Sequence, residues 1–419
     1  MKNPYIRSIA TTAATLLAVL SLTPVIADGQ APADNTAKVT AAVRGGAFPR
    51  QLTTYDRQGN VLRTVGEPGL YGDPALSPDG MRLAASRDGD IWVFDLSGGT
   101  SLRVTSDAAP RTWSPVWSPD GSQIAYYSYR DQYGGLYRKA SNGTGTEELL
   151  YRQLGVLVMG LSDWSPDGRF LFFFVQGDVL YGLPLNGDRK AVELVREEFS
   201  AVGARLSPDS RFLVYSSDES GRAEVYVRAF DPSSGGFSPG GEKSQVSDQG
   251  GQPLGWRQDG KELYYLAKDG GVMAVQVTTT PAFKAGEQTL LFRAPLLEGN
   301  RSRPRASVSR DGQRVVIAVP IPPPERKEVT VAPEILAKYT GTYVTDDCGY
   351  GWVVTLEGNQ LAMQADAIVG KSLLFAEAET AFFFKAFGGD VEFVTDDQGS
   401  VTHLILYQGS ATGTKATRE

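Results

Sequence analysis

One four-residue motif recurs six times along the chain, and this recurrence constrains the fold more than any other feature. The copies begin at residues 77, 118, 165, 207, 257 and 309; three read Ser-Pro-Asp-Gly, the fourth Ser-Pro-Asp-Ser, and the last two Arg-Gln-Asp-Gly and Ser-Arg-Asp-Gly. They are 41, 47, 42, 50 and 52 residues apart. Strand-rich repeats of about 40 to 50 residues are typical of propeller blades. Because one such unit cannot bury its apolar face alone, six of them predict a closed six-bladed ring.

The second repeat indicates how one blade is assembled. Four short apolar segments, at residues 115–118, 123–128, 136–139 and 148–151, are separated by turn residues. The turn at residues 119–121 combines a proline that presets φ, an aspartate that accepts backbone hydrogen bonds, and a glycine that tolerates positive φ. Each repeat therefore predicts a blade of four antiparallel strands. Because the aspartate occurs in all six copies, we interpret it as part of the turn rather than as a catalytic or metal-binding group.

The sixth repeat is short of strands. It supplies two of its own, at residues 306–309 and 314–319, before a proline-rich stretch at 320–324 that cannot donate the hydrogen bonds of a sheet. A strand-like segment at residues 51–64 precedes the first repeat. We therefore predict that this segment completes the sixth blade and closes a propeller that spans residues 45–320.

The first 27 residues have the pattern of an export signal. Lys2 and Arg7 precede an apolar stretch at residues 9–22, and Ala27 follows at a position suited to cleavage. This stretch is shorter than the roughly 20 residues that a membrane-spanning helix needs. The sequence thus predicts a signal peptide at 1–27, a flexible lead-in at 28–44, export to the periplasm or the medium, and no stable membrane insertion. The net charge of −7 argues against a nucleic-acid partner, which a basic surface would favour.

A second domain is predicted after a proline-rich linker at residues 321–330. A short helix at 333–338 is followed by short apolar segments separated by turns, and this domain is expected to occupy residues 331–419. The predicted strands lie at 352–356, 360–363, 373–375, 381–384, 392–394 and 403–406. Many short antiparallel strands within about 90 residues are typical of a small barrel. The predicted fold class is all-β, with a six-bladed β-propeller followed by a small antiparallel β-barrel.

The repeats resemble those of a known family. The Trp-Ser-Pro-Asp-Gly turns are similar to the WD40-like repeats of TolB-type propellers. A closer similarity, to the propeller attached to serine/threonine kinases of soil bacteria, lies at residues 55–59, 65–69, 245–247 and 256–265. The resemblance covers about residues 45–320 and implies a fold rather than a ligand.

The C-terminal region resembles a different family. Residues 331–343 are similar to the start of the lipocalin-like C-terminal domain of penicillin-binding-protein-like serine peptidases, and the similarity extends over roughly residues 331–412. In those proteins the domain is an accessory without catalytic residues. The resemblance therefore implies a non-catalytic barrel and, as one partner, a separately encoded hydrolase.

Few residues are available for catalysis. The chain has one histidine, His403, and one cysteine, Cys348, which disfavours a zinc site of three or four ligands and a Ser-His-Asp triad. The Gly-x-Ser-x-Gly spacing at residues 236–240 lacks the strand and helix that a nucleophile elbow requires. No serine is followed three residues later by lysine. We predict a protein that is not an enzyme and that needs neither a cofactor nor a metal.

A partner is expected on the propeller face opposite the recurring turns. We call this the variable-loop face, and define it by the loops that join the second and third strands of each blade and the loops between blades. Arginine and tryptophan are enriched at binding hot spots, and Arg111, Arg303 and Arg305 are predicted to be the main anchors. The candidate partner-binding residues are Arg111, Trp113, Arg130, Asp131, Asp218, Arg222, Arg303 and Arg305.

The leading hypothesis is an exported, non-catalytic binding scaffold for a protein, a peptide or an envelope glycan. Two alternatives stay open. The chain is an accessory subunit of a separately encoded serine peptidase or hydrolase, or it is a propeller hydrolase or lyase that uses carboxylates in its channel.

Overall fold

Strands dominate the structure. The computed structural model describes residues 49–105, 112–130, 133–152, 158–175, 179–195, 199–231, 233, 236–237, 241–295, 305–321, 326–345, 351–365, 371–385, 389–407 and 414–419. These residues form six separate sheets and one closed barrel, which confirms the predicted all-β fold class. The described residues up to 321 belong to one compact unit and those from 326 onward to another. The predicted signal peptide and lead-in lie outside the described residues.

The six sheets contain 25 strands. In chain order they are β1 (Arg50–Asp56), β2 (Val61–Gly69), β3 (Tyr71–Leu76), β4 (Arg82–Arg87), β5 (Asp90–Asp95), β6 (Ser101–Arg103), β7 (Thr112–Trp117), β8 (Gln123–Arg130), β9 (Tyr133–Ala140), β10 (Glu148–Tyr151), β11 (Val158–Trp164), β12 (Phe170–Val175), β13 (Val179–Pro184), β14 (Val192–Val195), β15 (Ala201–Leu206), β16 (Phe212–Ser217), β17 (Glu224–Asp231), β18 (Gly236–Phe237), β19 (Lys243–Gln245), β20 (Gly251–Trp256), β21 (Glu262–Ala267), β22 (Gly271–Thr278), β23 (Lys284–Arg293), β24 (Ala306–Val308) and β25 (Arg314–Pro320).

Each sheet is one propeller blade, numbered here by the repeat that it contains. Blades 1, 2, 3 and 5 are four-stranded meanders, β3 to β6, β7 to β10, β11 to β14 and β20 to β23, and in blade 4 both β18 and β19 pair with β17. The first strand of each repeat contacts the first strands of the two neighbouring blades, including β24 of blade 6 against β3 of blade 1. These six inner strands therefore form a closed ring around a central channel.

The N-terminal strands complete blade 6, as the sequence predicts for residues 51–64. The strand order of this blade is β2-β1-β25-β24, and β1 pairs antiparallel with β25 over its whole length, from Arg50 to Asp56. Leu52 and Val65 on these strands are buried in an apolar cluster shared with blade 1. Closure of the ring therefore joins the two ends of the propeller by hydrogen bonds and also buries a core between blades 6 and 1.

The recurring turn joins the inner strand to the second strand in every blade, so all six turns lie on one face. In five turns the serine hydroxyl donates to the aspartate at 2.5–2.6 Å. The same carboxylate accepts the backbone N–H two residues ahead at 2.9–3.2 Å in all six. The Ser118 hydroxyl lowers the pKa of Asp120 to about 2, and Arg257, which replaces the serine in the fifth turn, lowers the pKa of Asp259 to about 2. These contacts account for the repeated aspartate as a turn residue.

The second unit is a closed barrel of eight antiparallel strands. A short helix, α1 (Pro333–Leu336), and a 3₁₀ turn at Ala337–Tyr339 precede them, close to the predicted helix at 333–338. The strands are β26 (Gly341–Thr345), β27 (Gly351–Glu357), β28 (Gln360–Ala365), β29 (Ser372–Ala376), β30 (Ala381–Phe383), β31 (Asp390–Thr395), β32 (Val401–Tyr407) and β33 (Thr414–Arg418).

Aromatic side chains occupy the barrel interior. Tyr339 stacks on Phe393 with ring centroids 4.4 Å apart, and fully buried Tyr343 donates its hydroxyl to the Tyr339 carbonyl at 2.8 Å. The barrel is therefore built around a packed core. Among the described residues, no helix has both the length and the apolar character to cross a bilayer.

Candidate functional site

Two repeated positions on the inner strands line the central channel. Both are counted back from the first residue of each recurring turn. The upper ring, four residues back and nearer the variable-loop face, consists of Asp73, Ser114, Leu161, Gly203, Pro253 and Arg305. The lower ring, two residues back and nearer the recurring turns, consists of Ala75, Val116, Asp163, Arg205, Gly255 and Ser307.

Hydrogen bonds between neighbouring inner strands place these positions at the channel. The inner edge of each blade carries N–H groups that have no partner strand, and side chains of the adjacent blade accept some of them. Asp163 accepts from Leu206 at 2.9 Å, and the Ser307 hydroxyl accepts from Leu76 at 3.2 Å. A β-bulge interrupts the pairing of β3, β7, β11, β15 and β20 between the two rings. Bulges re-aim side chains, so each blade presents its own residues to the channel.

At the upper ring, polar side chains connect blades 6, 1 and 2. Asp73 Oδ2 accepts both the backbone N–H and the hydroxyl of Ser114, each at 3.1 Å. On its other side, Arg305 Nε lies 4.0 Å from Asp73 Oδ1, and Arg305 Nη1 donates to the Tyr71 carbonyl at 3.3 Å. Gly72 makes this approach possible, because a Cβ at that position would lie 2.0 Å from Arg305 Nη1.

A second arginine reaches the same carbonyl. Arg50, which is buried at the start of β1, donates Nη1 to the Tyr71 carbonyl at 3.2 Å. Burial lowers the pKa of Arg50 to about 10; the neighbouring charge of Arg305 lowers it further, and Asp73 opposes both. Among the described residues, the channel mouth on the variable-loop face therefore has two arginines and one aspartate close together, which gives it a positive charge.

The lower ring has a different charged group. Asp163 of blade 3 neighbours Arg205 of blade 4, whose Nη1 donates to the Ala204 and Ser162 carbonyls. Burial raises the pKa of Asp163 to about 6, although the charges of Arg205 and Arg310 oppose this. Arg310 belongs to blade 6, on the opposite side of the ring, at a turn position where the first four repeats have proline.

The predicted partner-binding residues have different positions. Arg111, Asp131 and Arg303 lie outside the described residues, and for Arg130 the structure describes only the backbone, at the end of β8. Half-buried Trp113 lies in β7 with its ring centroid 4.3 Å from that of Tyr127. Arg305 is part of the upper ring.

Asp218 and Arg222 form a separate group in blade 4. Asp218 Oδ1 accepts the Ser200 N–H at 2.8 Å, which ties the end of β16 to the residue before β15. Arg222 pairs with the fully buried side chain of Glu224 at 2.5 Å while its own side chain is 53% exposed. Glu224 also accepts the Gly250 N–H at 2.9 Å, which links blades 4 and 5. No contact among the described residues joins this group to the channel mouth.

Other motifs of the sequence have structural explanations or lie outside the described residues. Asp90 accepts hydrogen bonds from Arg103 at 2.6 Å and Thr105 at 2.7 Å. Ser238 and Cys348 fall outside the described residues. In the described part of the chain, no three His, Cys, Asp or Glu side chains cluster in a way that would hold a metal ion.

Sequence reasoning missed Arg50, Asp73, Asp163, Arg205 and Arg310. The signal was present in the repeats, because once the turns are superposed, the positions two and four residues earlier vary from Asp to Arg to Gly while the flanking positions stay apolar. Charged residues at such repeated inner positions indicate channel-lining groups. Their mutual proximity across blades follows from ring closure and could not be read from spacing alone.

The fold and the channel place the protein in a class, the TolB-like six-bladed propellers, here followed by a closed eight-stranded barrel. Residues 51–229 match the family model described as TolB beta propeller domain. Residues 325–418 match a family described as a domain of unknown function, DUF3471. The link of the barrel to lipocalin-like peptidase domains stays a prediction.

Particular relatives are known for parts of the chain. It is 27% identical over 198 residues to the uncharacterized protein Atu1656 of Agrobacterium fabrum, which covers 45% of this chain and 66% of that protein. It is 29% identical over 116 residues to Tricorn protease homolog 1 of Streptomyces coelicolor, which covers 26% of this chain and 11% of that protein. The chain thus spans less than two thirds of each of these curated relatives.

A solved structure supports the propeller fold. A chain assigned to TolB of Agrobacterium tumefaciens aligns with a TM-score of 0.52 and 19% sequence identity, covering 66% of this chain and 99% of that chain. At this identity the likeness bears on the fold alone.

Proposed function

We propose that the protein is an exported, non-catalytic scaffold that binds a protein or peptide partner through the variable-loop face of its propeller. The channel mouth on that face carries the proposal, because Arg50, Arg305 and Asp73 lie together there. Guanidinium groups offer five donors in a fixed geometry, and few of these are used within the chain. The export part rests on the basic, then apolar, pattern of residues 1–27.

The opposite face is a weaker candidate. Its six turn aspartates already accept a side-chain and a backbone hydrogen bond within their own turns. The turns are also nearly identical from blade to blade, whereas the variable loops differ in length and charge. A face of repeated, internally bonded turns offers little that distinguishes one partner from another.

Partner capture with charge variants on each face tests the proposal. The full chain is used as bait against an envelope extract, with Arg303→Ala/Arg305→Ala as the test variant. The matched control, Arg169→Ala/Arg211→Ala, removes two exposed arginines next to the recurring turns. We expect the test variant to lose the wild-type partner and the control to retain it. Loss in the control with retention in the test variant would contradict the choice of face.

Catalysis is tested separately. The purified chain is expected to hydrolyse no ester, peptide or β-lactam above background, because its single histidine lies in β32 of the barrel. A hydrolysis rate that disappears in Ser238→Ala, or in Asp73→Asn, would favour a propeller hydrolase. Capture of a hydrolase by the isolated barrel would instead favour the accessory-subunit alternative.

A further inference from the structure

The lower ring holds charged groups that the chain itself leaves unpaired. Arg310 makes no hydrogen bond and no ion pair among the described residues, although it is half-buried. Asp163 is joined by an ion pair to neither Arg205 nor Arg310 within that part of the chain. Burial lowers the pKa of both arginines, and the charge of Asp163 opposes this. Buried charges are normally paired, because removing them from water is costly.

The three groups surround one region of the channel. Asp163 and Arg205 come from adjacent blades 3 and 4, and Arg310 comes from blade 6, which lies opposite blade 3 in a six-membered ring. Arg310 nevertheless lies close enough to Asp163 for their charges to interact. Arg205 uses Nη1 for the Ala204 and Ser162 carbonyls, which leaves Nε and Nη2 without a hydrogen bond among the described residues. Donors from two sides of the channel are therefore available to a ligand between them.

The charge of this group selects the ligand. Two arginines and one ionised aspartate leave a net charge of +1, which suits a single negative charge. Guanidinium binds a carboxylate with two parallel hydrogen bonds. We propose that the lower channel binds a carboxylate between Arg205 and Arg310, with Asp163 limiting the site to one negative charge. The site lies at the other end of the channel from the variable-loop face, so it is testable independently of the partner proposed there.

The carboxylate has two possible sources, a small free acid or a peptide. The probes are propionate, an N-acetylated tetra-alanine with a free C-terminal carboxylate, and the same peptide with a C-terminal amide. Binding to the full chain is followed through the arginine Nε–Hε NMR resonances, assigned with Arg205→Lys and Arg310→Lys. We expect both carboxylates, and not the amide, to shift the Arg205 and Arg310 resonances. Tighter binding of the peptide acid than of propionate assigns the site to peptides, and equal binding assigns it to small acids.

Three variants separate the site from general charge effects. Arg310→Gln should weaken carboxylate binding by about tenfold, as loss of a charged hydrogen bond does, whereas Arg305→Gln in the upper ring should leave it unchanged. Asp163→Asn should bind more tightly than wild type near neutral pH. Wild-type affinity should rise as the pH falls from about 8 to about 5, while Asp163→Asn stays flat, because protonation of Asp163 removes the competing charge.

Two results would overturn the inference. One is the absence of any carboxylate-dependent shift at Arg205 and Arg310 in a wild-type chain with an unchanged thermal melt. The other is equal binding of the peptide acid and the peptide amide. Equal weakening by Arg310→Gln and Arg305→Gln would also contradict it, because that pattern indicates a non-specific charge effect.

Discussion

At the scale of single residues, the recurring turn shows how far sequence alone can assign a role. Repetition of one aspartate in six copies indicates turn chemistry, and the structure gives each of these carboxylates a backbone N–H partner two residues ahead. The channel arginines were harder to predict. Arg205 and Arg310 are ordinary surface residues in the sequence, and only the closed ring brings them to one side or the other of Asp163.

Removal of one turn aspartate should destabilise the propeller modestly. Asp120→Ala deletes the bonds from the Ser118 hydroxyl and the Ser122 N–H, and the free energy of unfolding should fall by about 1 kcal/mol near neutral pH. The folded-state pKa of Asp120 is lowered, so its contribution is complete above the unfolded value and is lost as the pH falls towards 2. Urea unfolding at several pH values measures this. Glu287→Ala, an exposed acid without a hydrogen bond among the described residues, is the control, and an equal loss there would contradict the role of the turn.

Asp163 should have the opposite pH dependence. Its folded-state pKa is raised to about 6, so its ionised form destabilises the fold above that pH, and this cost disappears as the pH falls below it. Asp163→Asn should therefore raise the thermal midpoint near neutral pH and leave it unchanged near pH 4, below the raised pKa of about 6. Thermal melts at the two pH values measure the difference. A midpoint that falls at both values would mean that the Leu206 hydrogen bond dominates.

At the scale of strands, ring closure was predictable and its reinforcement was not. Counting the strands of the sixth repeat leaves two missing, and residues 51–64 are the strand-like segment available to supply them. The reinforcement is Arg57, just after β1, which donates to both oxygens of Glu262 at 2.9 and 3.0 Å. These residues are 205 positions apart in the sequence, so no local pattern indicates the pair.

Breaking this pair should loosen the closed ring. The side chain of Glu262 is 3% exposed, so Arg57→Ala leaves a buried carboxylate that retains Arg257 and Gln276 as partners. We expect the free energy of unfolding to fall by roughly 2 kcal/mol, less than for a fully isolated buried charge because those partners remain. Arg293→Ala is the matched control, because its pair with Asp269 is exposed on both sides. Chemical unfolding compares the two, and equal effects would mean that Arg57 acts only as a surface charge.

The last barrel strand shows why other elements were missed. In β33 (Thr414–Arg418), Ala416 is the only buried residue, so the strand lacks the apolar alternation by which strands are recognised. Its place is set by pairing with both β32 and β26, which closes the barrel. Such a strand is specified by the backbone hydrogen bonds of its neighbours rather than by its own side chains.

At the scale of the whole molecule, the chain contains two units with separate apolar cores. The cores of the propeller are shared between neighbouring blades, and the barrel has a cluster of its own. We expect residues 49–321 and residues 326–419, expressed separately, each to give a cooperative thermal melt, because each buries its own core. Calorimetry of the two fragments measures this. A barrel fragment that melts without cooperativity would show that its core is not sufficient.

The central claim is that the variable-loop face, at the channel mouth, binds a partner. The most direct measurement is a calorimetric titration of the captured partner into the wild-type chain, Arg303→Ala/Arg305→Ala and Arg169→Ala/Arg211→Ala, each at low and high salt. We predict that the first variant loses at least about tenfold in affinity, equivalent to 1.4 kcal/mol, and much of the salt dependence. The second variant should bind like wild type. Unchanged affinity in the first variant, with a loss in the second, would contradict the claim.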